Sequence, residues 1–196
     1  MKKIIYSLAF ILIAGIIFLA SIVIFIYQKP EYRAVRQGVA NIDSGKYQQA
    51  IKDFNQAIKI NPNFVPAYEG RAQAYYESGE YKQAIENHKK CINLDPNNAV
   101  VYNNFAWILA TCPDHKYRDV NRAVELAEKA SELKEEAYII DTLAAAYARA
   151  NRMKDAVRAQ ERAIELLIKQ GKMKELSEHR YGERLKRYRT GEPWVE

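Results

Sequence analysis

The hydrophobic and polar positions divide the chain into an apolar N-terminal stretch and a long amphipathic remainder. Residues 4–27 contain no charged side chain. Further along, apolar residues recur every three or four positions, as on one face of an α-helix. One such set is Ala50, Ile51, Phe54, Ala57 and Ile58. The pattern predicts an all-α body that follows one continuous apolar helix.

The apolar stretch is long enough to cross a membrane. Its 24 residues would span about 36 Å as a helix, against about 30 Å for the hydrocarbon core of a bilayer. A cleavable signal peptide would have a shorter apolar region and a small-x-small cleavage site, which is not found here. We therefore expect residues 1–29 to be an uncleaved transmembrane anchor with its span at residues 4–27. A buried core helix and a long signal peptide are the alternatives.

The charges beside the stretch favour one orientation. Lys2 and Lys3 lie next to the amino terminus without an acidic neighbour, whereas Glu31 interrupts the basic residues on the other side. Because positive charge is concentrated on the cytoplasmic side of membrane proteins, we expect a cytoplasmic amino terminus. The remainder of the chain would then lie on the non-cytoplasmic side of a bacterial inner membrane.

A repeat with a period of 34 residues organises the next part of the chain. Residues 31–64 and residues 65–98 place small, aromatic, Gly and Pro residues at equivalent positions. Small residues let two helices approach closely, aromatic residues fill the space between them, Gly takes the left-handed turn and Pro stops the second helix. Identical pairs are Gly45 and Gly79, Tyr47 and Tyr81, Ala50 and Ala84, and Pro62 and Pro96.

This pattern resembles the tetratricopeptide repeat (TPR) family, whose unit is a helical hairpin of 34 residues. The resemblance implies a right-handed superhelix of helix pairs, with the first helix of each pair lining a concave surface. It divides the chain into TPR repeat 1 (31–64), TPR repeat 2 (65–98), a variant TPR repeat 3 with a lengthened turn (99–136) and TPR repeat 4 (137–170). Residues 171–196 form an amphipathic capping helix and tail.

Two places depart from the strict repeat. Repeat 3 contains five extra residues within residues 111–119, where Pro113 predicts a loop or turn. Repeat 4 has Asn151 where the turn glycine is expected, and Asn also visits the left-handed region. Its second helix is expected to reach Gln170, while Trp194 is expected on a short tail.

The sequence offers no assembly of catalytic groups. His88, His115 and His179 lie far apart, and there is no nucleophile elbow, zinc motif or Gly-rich phosphate loop. We expect no enzymatic activity, no metal or other cofactor, and no small-molecule substrate. His88 is interpreted as a partly buried packing residue, and Cys91 and Cys112 are expected to lie too far apart for a disulfide.

The formal charge of +6 is unevenly distributed. Residues 30–168 balance 19 basic against 19 acidic residues, whereas residues 169–190 hold eight basic and three acidic residues. A helix that covers the apolar end of a repeat stack explains this basic segment without a partner. The alternative is electrostatic binding of a membrane surface or nucleic acid through the basic C-terminal helix, although we expect no nucleic acid.

The resemblance also implies which side chains line the groove. Amides and aromatic rings suit an extended peptide, because amides bond its backbone and rings accept its apolar side chains. The expected groove residues are Gln73, Tyr76, Asn103, Asn104, Trp107, Tyr138, Asp141 and Arg149. The alternative is that Tyr76 and Trp107 only pack between helices.

Taken together, the anchor and the repeats lead us to expect a membrane-anchored scaffold that binds a protein or an extended peptide segment. Assembly or secretion of envelope components is the candidate process.

Overall fold

The computed structural model describes residues 28–194. The expected anchor at residues 4–27 lies outside these residues. Within them the chain forms ten α-helices, one 3-10 turn and no strand, which confirms the all-α prediction for the described part. Between residues 28 and 194, no helix combines the length and apolar character needed to cross a bilayer.

The helices follow the repeat frame. In chain order they are α1 (Pro30–Asp43), α2 (Tyr47–Ile60), α3 (Val65–Glu77), α4 (Tyr81–Leu94), α5 (Ala99–Thr111), α6 (Val120–Leu133), α7 (Ala137–Arg149), α8 (Met153–Lys169), α9 (Met173–Glu178) and α10 (Tyr181–Arg189). Contacts divide them into two compact units, one ending at Ser78 and the other beginning at Gly79. The right-handed superhelix would involve both units and stays a prediction.

The first unit contains α1, α2 and α3, which pack against one another. Its centre is the fully buried ring of Phe54. A Cβ built on Gly38 would lie 2.7 Å from Cζ of that ring, and one built on Gly70 would lie closer still to Cε1. Both glycines therefore provide the space for Phe54, so the small residues of the repeat are needed for helix packing.

The second unit contains two complete helix pairs, α5 with α6 and α7 with α8. Helix α5 also packs on α4 and α7, and α6 packs on α7. Asn151 has a φ of 59° at the turn between α7 and α8, as predicted, and α8 ends at Lys169 with Gln170 as its C-cap. The ring of His88 is buried and stacks on Phe105 at 5.5 Å, which confirms a packing role.

The segment between α5 and α6 is a turn, as Pro113 predicted. Residues His115–Tyr117 form a 3-10 turn. The carboxylate of Asp114 accepts a hydrogen bond from the Lys116 amide at 2.9 Å, and that of Asp119 accepts one from the Arg122 amide at 3.0 Å. These two bonds cap the 3-10 turn and α6 respectively.

The C-terminal part differs from the expected single capping helix. It forms α9 and α10, separated at Arg180, whose φ of 58° lies in the left-handed region and ends the helical path. Trp194 lies on the short tail that follows α10, as expected, but its side chain is buried against Tyr181 and Tyr188 in the apolar cluster of α7 and α8. Burial of this large ring fixes the segment around Trp194 on the second unit.

Candidate protein-binding surface

The expected groove residues fall in both units. Gln73, which is exposed, and Tyr76, which is half-buried, lie on α3 in the first unit. The other six lie in the second unit, on α5 and α7, which pack against each other. These six are Asn103, Asn104, Trp107, Tyr138, Asp141 and Arg149. The structure thus brings the α5 and α7 residues onto two adjacent first helices.

Asp141 lies at the centre of a buried polar network. Its side chain is 9% exposed. Oδ1 accepts a hydrogen bond of 2.8 Å from Nε2 of Gln160 on α8, and Oδ2 is ion-paired with Nη1 of Arg184 on α10. Gln160 Nε2 also donates to the Tyr181 carbonyl oxygen at 3.2 Å. One carboxylate therefore joins α7, α8 and α10, and its oxygens are already engaged.

The guanidinium of Arg184 also lies near two tryptophan rings. Its Cζ is 5.8 Å from the ring centroid of Trp107 on α5 and 5.2 Å from that of Trp194. Arg180 and Arg187 approach the Trp194 ring at 4.8 and 5.9 Å. These distances permit cation–π attraction. Residues 173–194, hereafter the C-terminal segment, therefore cover Asp141 and part of Trp107.

Burial perturbs the titration of this network. It raises the pKa of the Asp141 carboxyl, and the positive charge of Arg184 acts in the opposite direction. Burial, followed by the negative charge of Asp141, raises the pKa of Tyr181 to about 12. The same two causes raise the pKa of Tyr188. A carboxylate that is buried, ion-paired and hydrogen-bonded is costly to separate from its partners, and it is a poor candidate for contact with another protein.

Other expected groove residues are differently exposed. Tyr138 is 42% exposed near the start of α7, and Asn104 is half-buried on α5. Asn103 is buried and donates to Asn104 Oδ1 at 3.3 Å. Burial lowers the pKa of Arg149, with Arg118 as the next cause. The accessible part of this surface in the second unit is therefore the Tyr138 and Asn104 region.

The four arginines of the C-terminal segment are engaged within the chain. Arg180 pairs with Glu183, Arg184 with Asp141, Arg187 with Glu192, and Arg189 with Glu161. These pairs favour the covering role over general anion binding. Binding of a membrane surface or nucleic acid through this segment stays the alternative interpretation.

Sequence reasoning missed the partners of Asp141. Gln160, Arg184 and Trp194 were not expected near it, although one signal was present. Asp141 is the one acidic residue of α7, a helix with mainly apolar residues, and a carboxylate in such a position needs a buried donor or cation. The basic C-terminal segment supplies the cation.

Two overlapping matches to a family model described as TPR repeat cover residues 38–79 and 72–109. No curated protein matches the chain. Among solved structures, the thermophilic TPR protein TTC0263 of Thermus thermophilus is similar at 21% identity and a TM-score of 0.59, over 69% of this chain and 74% of that one. PilF of Pseudomonas aeruginosa is similar at 21% identity and a TM-score of 0.63, over 70% of this chain and 61% of that one. MamA of Desulfovibrio magneticus RS-1 is similar at 23% identity and a TM-score of 0.60, over 72% and 77%.

Proposed function

We propose that this chain, whose residues 38–109 are TPR repeats, is a membrane-anchored scaffold that binds a segment of another protein. The observation that carries the proposal is the match of these residues to the TPR model. The fold supports it, because α5 and α7, the first helices of two pairs in the second unit, pack side by side, and stacked helical repeats commonly bind partners on such a surface. Proteins with this architecture are commonly interaction modules.

The accessible first-helix residues define what the partner should be. In the second unit these are the Tyr138 ring and the Asn104 amide. An amide can pair with the backbone of an extended peptide, and an exposed ring can cover an apolar side chain. The partner is thus a polypeptide segment with a free backbone edge and at least one apolar side chain.

The C-terminal segment limits where that partner binds. Because Arg184 is paired with Asp141 and lies near the Trp107 ring, a partner reaches the second unit at Tyr138 and Asn104. In this proposal Trp107 packs between helices and does not contact the partner. Of the expected groove residues in the second unit, Tyr138 and Asn104 are therefore the ones we assign to partner binding.

Site-specific crosslinking tests the surface. In one variant of the full chain, a photoreactive phenylalanine analogue replaces Tyr138, and crosslinking is carried out in intact membranes. In the matched control the same analogue replaces Lys154, an exposed residue of α8. The proposal expects one discrete adduct from position 138 that is absent from position 154. Equal adducts from both positions, or none from position 138, would contradict binding at this surface.

The membrane anchor is the second part of the proposal and rests on the uncharged residues 4–27. We propose that the protein lies in a bacterial inner membrane with the repeats on the non-cytoplasmic side, and that it serves the assembly or secretion of envelope components.

Cysteine labelling tests the orientation. Both cysteines, Cys91 and Cys112, are buried thiols, so a single exposed cysteine can report the side of the membrane. The Lys174 side chain is 85% exposed, and Lys174→Cys should react with a membrane-impermeant maleimide from the non-cytoplasmic side. Recovery of the chain in the aqueous fraction would contradict anchoring, and labelling from the cytoplasmic side would reverse the orientation.

A further inference from the structure

A second surface feature lies away from the accessible first-helix residues. It is an open cleft of about 760 Å³ between α4, the end of α5 and the segment that leads into α6. The segment is the one lengthened by five residues, and the Asp119 amide ties it to the Leu109 carbonyl oxygen at 3.2 Å. The insertion therefore forms one wall of the cleft.

The floor of the cleft is apolar. Ile85 and Ile92 lie two turns apart on α4, where both are only partly buried, and Phe105 and Leu109 lie beneath them. Two β-branched side chains on one helix face leave apolar area that a partner can cover. Burying such area is the main source of affinity for short protein segments.

The rim of the cleft is basic. Lys89 lies on α4, and Lys116 and Arg118 lie on the inserted segment. Within residues 28–194, none of the three is ion-paired with a carboxylate. The one acidic residue in the lining, Asp119, caps α6, and a fourth cation, Arg122, is paired with Glu125. Three positive charges of the rim thus lack an acidic partner within the described chain.

Arg118 is held in position before any partner arrives. Its Nε donates to the Cys112 carbonyl oxygen and its Nη2 to the Pro113 carbonyl oxygen at 3.3 Å, while Nη1 lies 2.7 Å from His115 Nδ1. A guanidinium has five N–H donors, so donors remain for a carboxylate. Fixing the group in advance reduces the entropy lost on binding.

We infer that this cleft binds an acidic, amphipathic peptide segment of another protein, with apolar side chains on Ile85 and Ile92 and carboxylates at Lys89, Lys116 and Arg118. The apolar floor favours a peptide over a polyanion such as nucleic acid, which would leave Ile85 and Ile92 uncovered. This inference goes beyond the proposed function, because the cleft lies outside the predicted groove residues and would give the scaffold a second partner.

Selection of displayed random peptides tests the inference. The probe is a phage library of random linear peptides, and the target is the full chain in lipid nanodiscs. Selected peptides should combine acidic with apolar residues. Their binding should fall about tenfold or more in the double variant Lys89→Glu and Lys116→Glu, and it should weaken with added salt. The control variant Lys154→Glu reverses an exposed lysine outside the cleft and should leave binding unchanged.

Four outcomes would overturn the inference. These are the absence of any enriched peptide, peptides without acidic residues, peptides whose binding depends on Tyr138 and not on Lys89 and Lys116, and full competition by phosphatidylglycerol vesicles or RNA. Dependence on Tyr138 would still support the proposed function, so the two failures are distinguishable. Because Lys89 and Lys116 are exposed, their replacement should leave folding intact, and circular dichroism verifies this.

Discussion

The buried histidine of the second unit predicts a specific loss of stability in acid. The His88 side chain is 3% exposed, stacks on Phe105, and its Nδ1 has no hydrogen-bond partner among the described residues. Burial lowers the pKa of His88 from 6.5 to about 4. The folded unit therefore keeps this imidazole neutral at a pH where the unfolded chain binds a proton.

The sign and size of the effect follow from linkage. A depressed folded pKa gives stability that is fully present above pH 6.5 and is lost as the pH falls through about 4. The folded and unfolded pKa values of His88 differ by about 2.5 units, which corresponds to about 3 kcal/mol of unfolding free energy. About 2 kcal/mol of this free energy should be lost by about pH 5.

Urea unfolding measures this loss, with tryptophan fluorescence as the signal. The chain has two tryptophans, Trp107 and Trp194, and both lie in the second unit with His88. Phenylalanine is the natural replacement for His88, because Phe54 occupies the equivalent position of repeat 1. His88→Phe should remove about 2 kcal/mol of the difference between about pH 7 and about pH 5. The exposed His179 provides the control, and His179→Gln should retain the wild-type pH dependence.

Two results would refute the reasoning. One is an equal pH dependence for the wild type and His88→Phe. The other is an NMR titration of the His88 ring in the wild-type chain with a midpoint near 6.5, and it needs no variant.

Three further predictions concern packing and the buried network. Gly70→Ala should destabilise the first unit by about 1–3 kcal/mol because its Cβ would overlap a buried phenylalanine ring, whereas Gly182→Ala, whose Cβ meets open space, should change the melting temperature little. Asp141→Asn should lower the free energy of unfolding in urea by about 3–5 kcal/mol, because it leaves the buried Arg184 guanidinium without its charge partner. The double variant Asp141→Asn and Arg184→Met should lose less. An equal loss in both variants would exclude the ion pair as the cause. Because the pKa of Tyr181 is raised, its contribution to stability is full below pH 10 and is lost as the pH rises towards about 12. Ultraviolet difference spectroscopy should therefore show that this phenol ionises at a higher pH than an exposed tyrosine. An unshifted titration would contradict its burial.

The helix pairs could be predicted from sequence because their determinants are local and recur at a fixed spacing. Phe54 needs small neighbours on adjacent helices, and Gly38 and Gly70 are those neighbours. Asn151 could be assigned to a left-handed turn because few side chains tolerate that conformation. Each of these requirements involves one steric contact or one backbone angle.

The C-terminal segment could not be predicted in the same way. Arg184 reaches Asp141 across 43 positions, and the contact depends on the helix break at Arg180 and on the burial of Trp194. The amphipathic pattern indicated that this segment covers apolar surface, but not that it also covers an expected groove residue. The cleft beside Arg118 likewise depends on hydrogen bonds from its side chain to two carbonyl oxygens, and the insertion alone did not reveal them.

The salt dependence of partner binding tests the central claim most directly. The probe is the protein segment captured by the crosslinker at position 138, titrated against the full chain in nanodiscs. The accessible first-helix surface is amide and aromatic, so we predict an affinity that changes little with ionic strength and falls about tenfold in Tyr138→Ala. An affinity that falls steeply with salt, is unaffected by Tyr138→Ala and is lost when Lys174 and Lys186 are reversed to glutamate would contradict the account. That result would assign binding to the basic C-terminal segment instead.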